Sequence, residues 1–195
     1  MSGRTDGDAG QTVGLYIVAV GALFFLAFAY FAVGQASSVR NTAQTAADAS
    51  ALAAAREVRD SVRESFLDAL EAGDLERLAD LLALEGMTAD GACGAAADYA
   101  ARNRAVVDEC DVGGPGSATV ALHSSGTVGR SVVPGTESMH ANATATAIVE
   151  SRCGVDEVSG DTITFICDGD RFTVDPTADD FDLNLAEFYS VHLSE

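Results

Sequence analysis

The sequence predicts an α+β protein with a single N-terminal transmembrane helix that continues as a long alanine-rich helix packed on an antiparallel β-sheet. Three observations predict this class. The run from Val13 to Val33 contains no charged side chain. The region from Gln35 to about Ala72 lacks proline and glycine and is rich in residues of high helix propensity. The later sequence is rich in valine and threonine and is divided by glycine and proline turns, as is typical of strands.

The apolar run has the length of a membrane span. At about 1.5 Å per residue, a helix from Val13 to Val33 matches the ~30 Å thickness of the hydrocarbon core. The sequence therefore divides into a leader over 1–12, a transmembrane helix over 13–34, a helical stalk over 35–72 and an extracytoplasmic α+β domain over 73–195.

Two other interpretations of the apolar run compete with a span. A cleaved secretory signal could end at Ala27-Phe28-Ala29, but the run exceeds the ~7–15 apolar residues of such signals, and the single arginine of the leader is offset by Asp6 and Asp8. A buried helix of a soluble protein is the other alternative, although core helices seldom run this long without a charge. We favour the span.

The charge balance excludes one class of partner. The chain has 30 acidic residues against 11 arginines and no lysine, and its net charge is −19. Such a chain repels phosphates, and the sequence has no basic patch of the kind that nucleic-acid binders need, so we expect no nucleic-acid partner. The segment from Cys153 to Glu195 has eleven carboxylates and one arginine, which predicts a solvated acidic surface, with a cation or a basic partner as the alternative.

Four cysteines, Cys93, Cys110, Cys153 and Cys167, all follow the span. An even number confined to one side of the membrane predicts two disulfides in an oxidising compartment. The spacing favours Cys93 with Cys110 and Cys153 with Cys167, although three pairings are open. A zinc site is the competing use, but the sequence has no Cys-x-x-Cys pair, and the three histidines are isolated in sequence.

The orientation of the span is less clear from the sequence. Arg40, Arg56, Arg59 and Arg63 follow it, whereas only Arg4 precedes it, so a simple count of positive charges places the carboxyl end in the cytoplasm. The cysteines indicate the opposite. We favour the cysteines, because three of these arginines lie far along the stalk among carboxylates, and we predict a single-pass protein of the cell membrane.

Apolar residues recur along the stalk at steps of three and four, which predicts one continuous ridge. We assign a helix-packing interface to Val39, Ala43, Ala47, Ala51, Ala55 and Val58. The ridge then continues through Val62, Phe66 and Leu70. The bulky outer half is expected to be intramolecular core, whereas for the alanine half packing between protomers is an equal alternative.

Beyond the stalk, Gly73-Asp74 is expected to end one helix and to begin a short amphipathic helix that closes at Gly86, and a third helix is predicted over Ala95–Arg104. The predicted strands are Ala105–Val112, Ser117–Ser124, Thr127–Val133, His140–Ser151, and a hairpin of Thr162–Cys167 with Arg171–Val174. Small residues alternate at Ala141, Ala143, Ala145 and Ala147, which predicts a sheet face that a helix can approach closely. The segment from Asn184 to Leu193 is predicted as a helix or an edge strand.

The N-terminal third resembles a known family. The span leads into NTAQTAADASALAAAR, from Asn41 to Arg56, and the later sequence contains Val133-Pro134 and the alternating HANATATAIVE. In this combination the chain resembles the TadG/TadE-like proteins of tight-adherence (Flp) pilus assembly. The alanine-rich box over Ala46–Ala55 is the most specific part of the resemblance.

The resemblance implies a pilin-like plan and a non-enzymatic role as a minor pilin or an assembly component. Its implied partners are other single-span pilin-like or Tad assembly proteins and the lipid bilayer, with no cofactor and no small-molecule substrate. Gly10 and Gln11 mark a possible peptidase cut. However, prepilin substrates usually carry a glutamate five residues after the cut, where this chain has Leu15, and this difference favours an unprocessed, permanently anchored subunit.

Catalysis and calcium binding are the competing site chemistries. The sequence contains no G-x-S-x-G elbow, no phosphate-binding glycine loop and no H-E-x-x-H motif. His123 and Ser124 are adjacent on a predicted strand and so point to opposite faces. Asp168-Gly169-Asp170 opens like a calcium loop but departs from that pattern at Phe172 and Thr173, so a tight hairpin turn is expected.

A membrane-tethered binding or sensing module unrelated to pili is the alternative function.

Overall fold

The computed structural model describes residues 9–114, 116–127, 135 and 137–194, with side chains described from Val13 onward. Five helices and seven strands lie within these residues. The helices are α1 (Ala9–Asp60), α2 (Arg63–Ala72), α3 (Leu75–Leu82), α4 (Ala92–Arg102) and α5 (Leu185–Phe188). The strands are β1 (Ala105–Gly113), β2 (Ser117–Thr127), β3 (His140–Ser151), β4 (Cys153–Ser159), β5 (Thr162–Cys167), β6 (Asp170–Val174) and β7 (Tyr189–Leu193). The predicted α+β class is confirmed.

Helix α1 dominates the molecule. Its 52 residues make a rod of about 78 Å at ~1.5 Å per residue. The predicted stalk helix does not run unbroken to Ala72, because the chain turns at Ser61 and Val62. The Ser61 hydroxyl donates to the Val58 carbonyl at 2.6 Å and accepts from the Thr88 amide at 3.0 Å. These side-chain bonds compete with the helical ladder and separate α1 from α2.

The first sheet has the antiparallel order β1-β2-β3-β7, and α1 lies across it. In β3 the predicted small-residue face is buried, with Ala143, Ala145 and Ala147 under the helix layer and the intervening Thr144 exposed. Helix α4 packs beside α1 through Ala92, Ala96 and Ala100, which are fully buried. Small side chains on all three elements let their backbones approach closely.

A second sheet, of order β4-β5-β6, differs from the single sheet that the sequence predicted. Strand β4 was not predicted from the sequence. The predicted strand over Thr127–Val133 lies largely outside the described residues. The second sheet joins the first through an aromatic cluster centred on Phe188. The Phe188 ring centroid lies 4.8 Å from that of Phe66, 5.0 Å from that of Phe165 and 5.7 Å from that of Phe172.

Most predicted boundaries agree with the observed elements. Gly73 adopts a left-handed conformation (φ 63°) that ends α2, and the Asp74 side chain accepts the Arg77 amide at the start of α3. Strand β3 and the hairpin of β5 and β6 lie where the sequence placed them, and the turn over Asp168-Gly169 joins that hairpin. The segment from Asn184 to Leu193 forms both alternatives in succession, one turn of helix and then an edge strand.

Candidate functional site: the two halves of helix α1

The first half of α1 is an exposed apolar surface. Its large side chains are exposed throughout, from 42% of the full area at Val20 to 84% at Tyr30. This half is long and apolar enough to cross a membrane. Phe24, Ala27, Phe28 and Phe31 line a shallow apolar groove along one side of it. Apolar surface of this extent marks a site that lipid or another protein covers.

The second half of α1 is buried in the chain's own core. Four residues of the predicted helix-packing interface, Ala43, Ala47, Ala51 and Ala55, are at most 1% exposed, and Val58 is 2% exposed. Val39, at the membrane side of this ridge, is only half-buried. The contacts of the alanine half are therefore intramolecular, against the first sheet and α4, which is one of the two alternatives that the sequence left open.

The bulky outer residues continue the same core. Val62, Phe66 and Leu70 are at most 1% exposed, and Phe66 lies edge-on to Tyr189, 6.2 Å between ring centroids. The Tyr189 hydroxyl donates to the Leu81 carbonyl at 2.9 Å, and burial raises the pKa of this phenol well above its usual value. This anchor joins α2, α3 and β7. We call the described residues that follow α1 the head, and the anchor lies at the end of the head farthest from the apolar first half of α1.

A polar groove marks the point where the two halves of α1 meet. It has a volume of about 470 Å³ and is lined by Gly34, Ser37, Ser38, Asn41, Thr42, Thr45 and Asn103. The Thr42 and Thr45 hydroxyls donate to the carbonyls of Ser38 and Asn41 at 2.9 and 3.0 Å, so the helix satisfies them itself. Nothing in the periodicity of the sequence links Asn41 and Thr45 of α1 to Asn103, which follows α4.

Two disulfides brace the head. Cys93 of α4 is bonded to Cys110 of β1 with an S–S distance of 2.00 Å, and Cys153 of β4 to Cys167 of β5 at 1.97 Å. This is the pairing that the spacing favoured. The first bond ties the helix layer to the edge of the first sheet, and the second crosslinks the second sheet at a directly paired position.

The polar side chains of the head are engaged in structural contacts. Asp168 accepts a hydrogen bond from the Arg152 Nε at 2.8 Å, consistent with a hairpin turn. His123 Nδ1 lies 2.7 Å from Asp108 Oδ1, and its ring lies 5.5 Å from that of His140, so these histidines are not isolated in space. The Ser124 hydroxyl donates to the Gly126 carbonyl and does not bond to His123. Within the described ranges, no three His, Cys, Asp or Glu side chains are arranged to hold a metal ion.

The comparison with known families concerns α1 alone. Residues 10–57 match the Tad family, described as putative Flp pilus-assembly TadE/G-like. The resemblance seen in the sequence is confirmed over this TadE/G-like segment, and the match supports a pilus-related role. Neither a curated protein nor a solved structure matches the chain.

The TadE/G-like segment has a defined place in the structure. It begins in the first turn of α1 and ends three residues before the helix does, so it includes both the exposed half and the alanine-rich buried half. The possible peptidase cut between Gly10 and Gln11 falls at the very start of this segment and stays a prediction. The two-sheet part of the head lies entirely outside the match.

Proposed function

We propose that this chain is a non-enzymatic, membrane-anchored component of a Tad/Flp-type pilus or related secretion apparatus, either minor pilin-like or an assembly subunit. One observation carries the proposal. The TadE/G-like segment coincides with a continuous helix that is exposed and apolar in its first half and fixed to a folded head in its second half. The head thus presents the exposed half as a rigid extension.

The exposed half of α1 suits two environments in turn. Before assembly, lipid covers its apolar side chains. In an assembled complex, the helices of other single-span subunits cover the same surface, and the groove at Phe24 and Phe28 offers a place for a ridge of a neighbouring helix. Transfer between the two environments keeps the apolar surface covered throughout.

The proposed orientation places the head outside the cytoplasm. Disulfides persist in oxidising compartments and are rare where thiols are kept reduced. Both disulfides of this chain lie in the head, on the carboxyl side of the span. The acidic surface of the head also keeps it soluble in an aqueous compartment.

The test exchanges the helix surface and keeps the anchor. Residues 13–33 are replaced by a leucine–alanine span of equal length, and the full chain is then purified from membranes together with its partners. We expect the variant to stay in the membrane with a folded head and to lose co-purifying Tad pilus components. A leucine substitution at Ile17, within the native span, is the matched control and should retain them.

The alternative is a membrane-tethered binding or sensing module. The family match ends at residue 57, so the acidic head has no match to the family, and this observation favours the tethered module. In such a protein the span is only an anchor. Retention of every partner by the exchanged span would therefore contradict the pilus proposal and support the tethered module.

A further inference from the structure

One end of the head faces the apolar half of α1. Helix α4 runs antiparallel to α1, because its start, Gly91, lies against Glu57 and the residue after its end, Asn103, lines the groove with Gly34 and Ser38. The adjoining strand ends are at the same level, since the Ser125 amide donates to the Arg104 carbonyl at 2.7 Å. The turn after α4 and the ends of β1, β2 and β3 therefore form the membrane-proximal end of the head.

This end differs in charge from the rest of the molecule. The segments 34–45, 98–108, 123–127 and 137–141 contain three arginines, Arg40, Arg102 and Arg104, and three carboxylates, Asp98, Asp108 and Glu137, so their formal charges cancel. The whole chain has a net charge of −19, and its segment from Cys153 to Glu195 is strongly acidic. The positive side chains of these proximal segments are all exposed. At the end of the head toward the span, exposed arginines therefore balance the carboxylates, whereas the rest of the chain carries the net negative charge.

Arg104 occupies its position against local backbone preference. It adopts a left-handed conformation (φ 58°) directly after the Asn103 cap of α4. Glycine is the usual residue at this position because it has no Cβ to strain the backbone. A residue with a Cβ in this conformation strains the backbone, which motivates a test of what its side chain does. Here that side chain is an exposed cation.

Residues suited to a membrane interface surround these arginines. The Arg102 guanidinium lies 5.2 Å from the centroid of the Tyr99 ring, which is 37% exposed. Met139, beside the start of β3, is 55% exposed. Tyrosine is enriched at the headgroup level of membranes, where its ring is partly buried and its hydroxyl is hydrated. We call Arg40, Tyr99, Arg102, Arg104 and Met139 the proximal collar.

The height of the proximal collar matches the headgroup layer. Arg40 follows the last residue of the apolar run by seven positions, which is about 10 Å along the helix. The polar layer of each leaflet extends roughly 5–8 Å beyond the hydrocarbon, and charges act over a Debye length of about 8 Å. Arg40 is therefore within electrostatic reach of lipid phosphates, and the turn after α4 lies at a similar level, since Asn103 lines one groove with Asn41 and Thr42.

We propose that the proximal collar docks on anionic lipid headgroups of the bilayer that α1 spans, which holds the head upright with its acidic surfaces away from the membrane. The inference rests on the membrane anchor of the proposed function. Basic groups next to a span are attracted to anionic lipid, whereas carboxylates are repelled by it. An anionic surface attracts the exposed arginines of the collar and repels the acidic remainder of the head, which favours one orientation of the head.

The test uses the absence of tryptophan from the sequence. Met139→Trp places a single fluorophore in the proximal collar, and Val158→Trp places a matched one on β4, where the native side chain is 43% exposed. Each full-length variant is reconstituted, one chain per nanodisc, in brominated phosphatidylcholine with or without phosphatidylglycerol. We expect the bromines to quench the Met139→Trp fluorescence in anionic discs and to leave the Val158→Trp fluorescence unchanged.

Charge substitutions then separate lipid docking from simple proximity. Arg102→Glu with Arg104→Glu should reduce the docked-to-undocked ratio by about fivefold or more per arginine, since one basic group near an anionic surface favours docking by about that factor. Arg77→Glu, an equal change on the distant helix α3, should leave the ratio unchanged. Arg104→Gly should reduce the quenching while retaining or raising the thermal stability of the head, because it relieves the left-handed strain.

Three outcomes would overturn the proposal. Equal quenching in neutral and anionic discs would show that lipid charge does not hold the head. Quenching unaffected by the arginine substitutions would show that the collar is not the contact. A loss of stability in Arg104→Gly would assign Arg104 to the fold. Failure of the chain to enter the discs would instead contradict the membrane anchor itself, so the two proposals fail in distinguishable ways.

Discussion

At the scale of single residues, Ser50 is a polar side chain placed in an apolar layer. It is 0% exposed, and its hydroxyl has no hydrogen-bond partner within the described part of the chain. This burial could not be predicted from the sequence, because a serine within an alanine-rich helix has the pattern of any other small residue. Burying an unpaired hydroxyl costs about 1–3 kcal/mol.

We predict that Ser50→Ala raises the free energy of unfolding by about 1 kcal/mol or more, since it removes the unpaired hydroxyl and improves helix propensity. Thermal unfolding of the full chain in detergent measures the change. Ser65→Ala on α2, where the side chain is half-buried, is the matched control and should gain only the stability that comes from the higher helix propensity of alanine. Equal gains from both substitutions would contradict the assignment of a desolvation cost to Ser50.

Tyr189 is the opposite case, a buried polar group that is satisfied. Its hydroxyl donates to the Leu81 carbonyl, and burial raises its pKa above the unfolded value of 10.0. Its contribution to stability is therefore complete below pH 10 and is lost as the pH rises toward the folded pKa, because the unfolded chain ionises first.

We predict that Tyr189→Phe lowers the free energy of unfolding by about 1 kcal/mol at neutral pH and flattens the loss of stability above pH 10. Denaturant unfolding at a series of alkaline pH values checks both effects. An unaltered profile in Tyr189→Phe would show that another group titrates there.

At the scale of elements, the periodicity of α1 predicted its packing ridge but not what covers it. Steps of three and four identified Ala43, Ala47, Ala51 and Ala55 correctly as one face. Whether that face meets another protomer or the chain's own sheet depends on contacts distant in sequence, which periodicity does not contain. The surface that covers this face is the row of alternating alanines on β3, where a sheet face of small residues packs on a helix face of small residues.

We predict that Ala47→Leu destabilises the head by about 1–3 kcal/mol, because the added atoms have no space between α1 and the elements packed on it. Gln44→Leu, on the exposed face of the same helix, should change stability by about 0.5 kcal/mol or less. Thermal unfolding of both variants makes the comparison. Tolerance of leucine at Ala47 would show that the alanine face is not closed within the chain.

Other elements escaped the sequence for local reasons. The break between α1 and α2 depends on hydrogen bonds of Ser61, one of them to Thr88, which lies far away in sequence. Strand β4 was not predicted because its sequence, CGVDEVS, is short and acidic. In the structure most of its residues are exposed, so buried and exposed positions do not alternate clearly. Its position follows from pairing with β5, and that pairing brings Cys153 opposite Cys167.

At the scale of the whole molecule, the sequence predicted the class well because its strongest signals are long. A charge-free run, an alanine-rich helix and an alternating strand each extend over many residues, so local exceptions do not alter their interpretation. The division into two sheets and the distribution of charge over the folded chain could not be predicted, since both arise from segments that only folding brings together. The proximal arginines, for example, come from α1, from the last residue of α4 and from the turn after it.

The central claim is that α1 spans the bilayer with its first half and holds an oxidised head outside the cytoplasm with its second half. Alkaline carbonate extraction of membranes, combined with protease treatment of intact cells stripped of their outer layers, tests it in one experiment on the native chain. We predict that the protein stays in the membrane pellet, that external protease removes the head, and that its four cysteines resist alkylation until they are reduced. Release into the soluble fraction, or a head that stays protected and reduced until the cells are opened, would contradict the account.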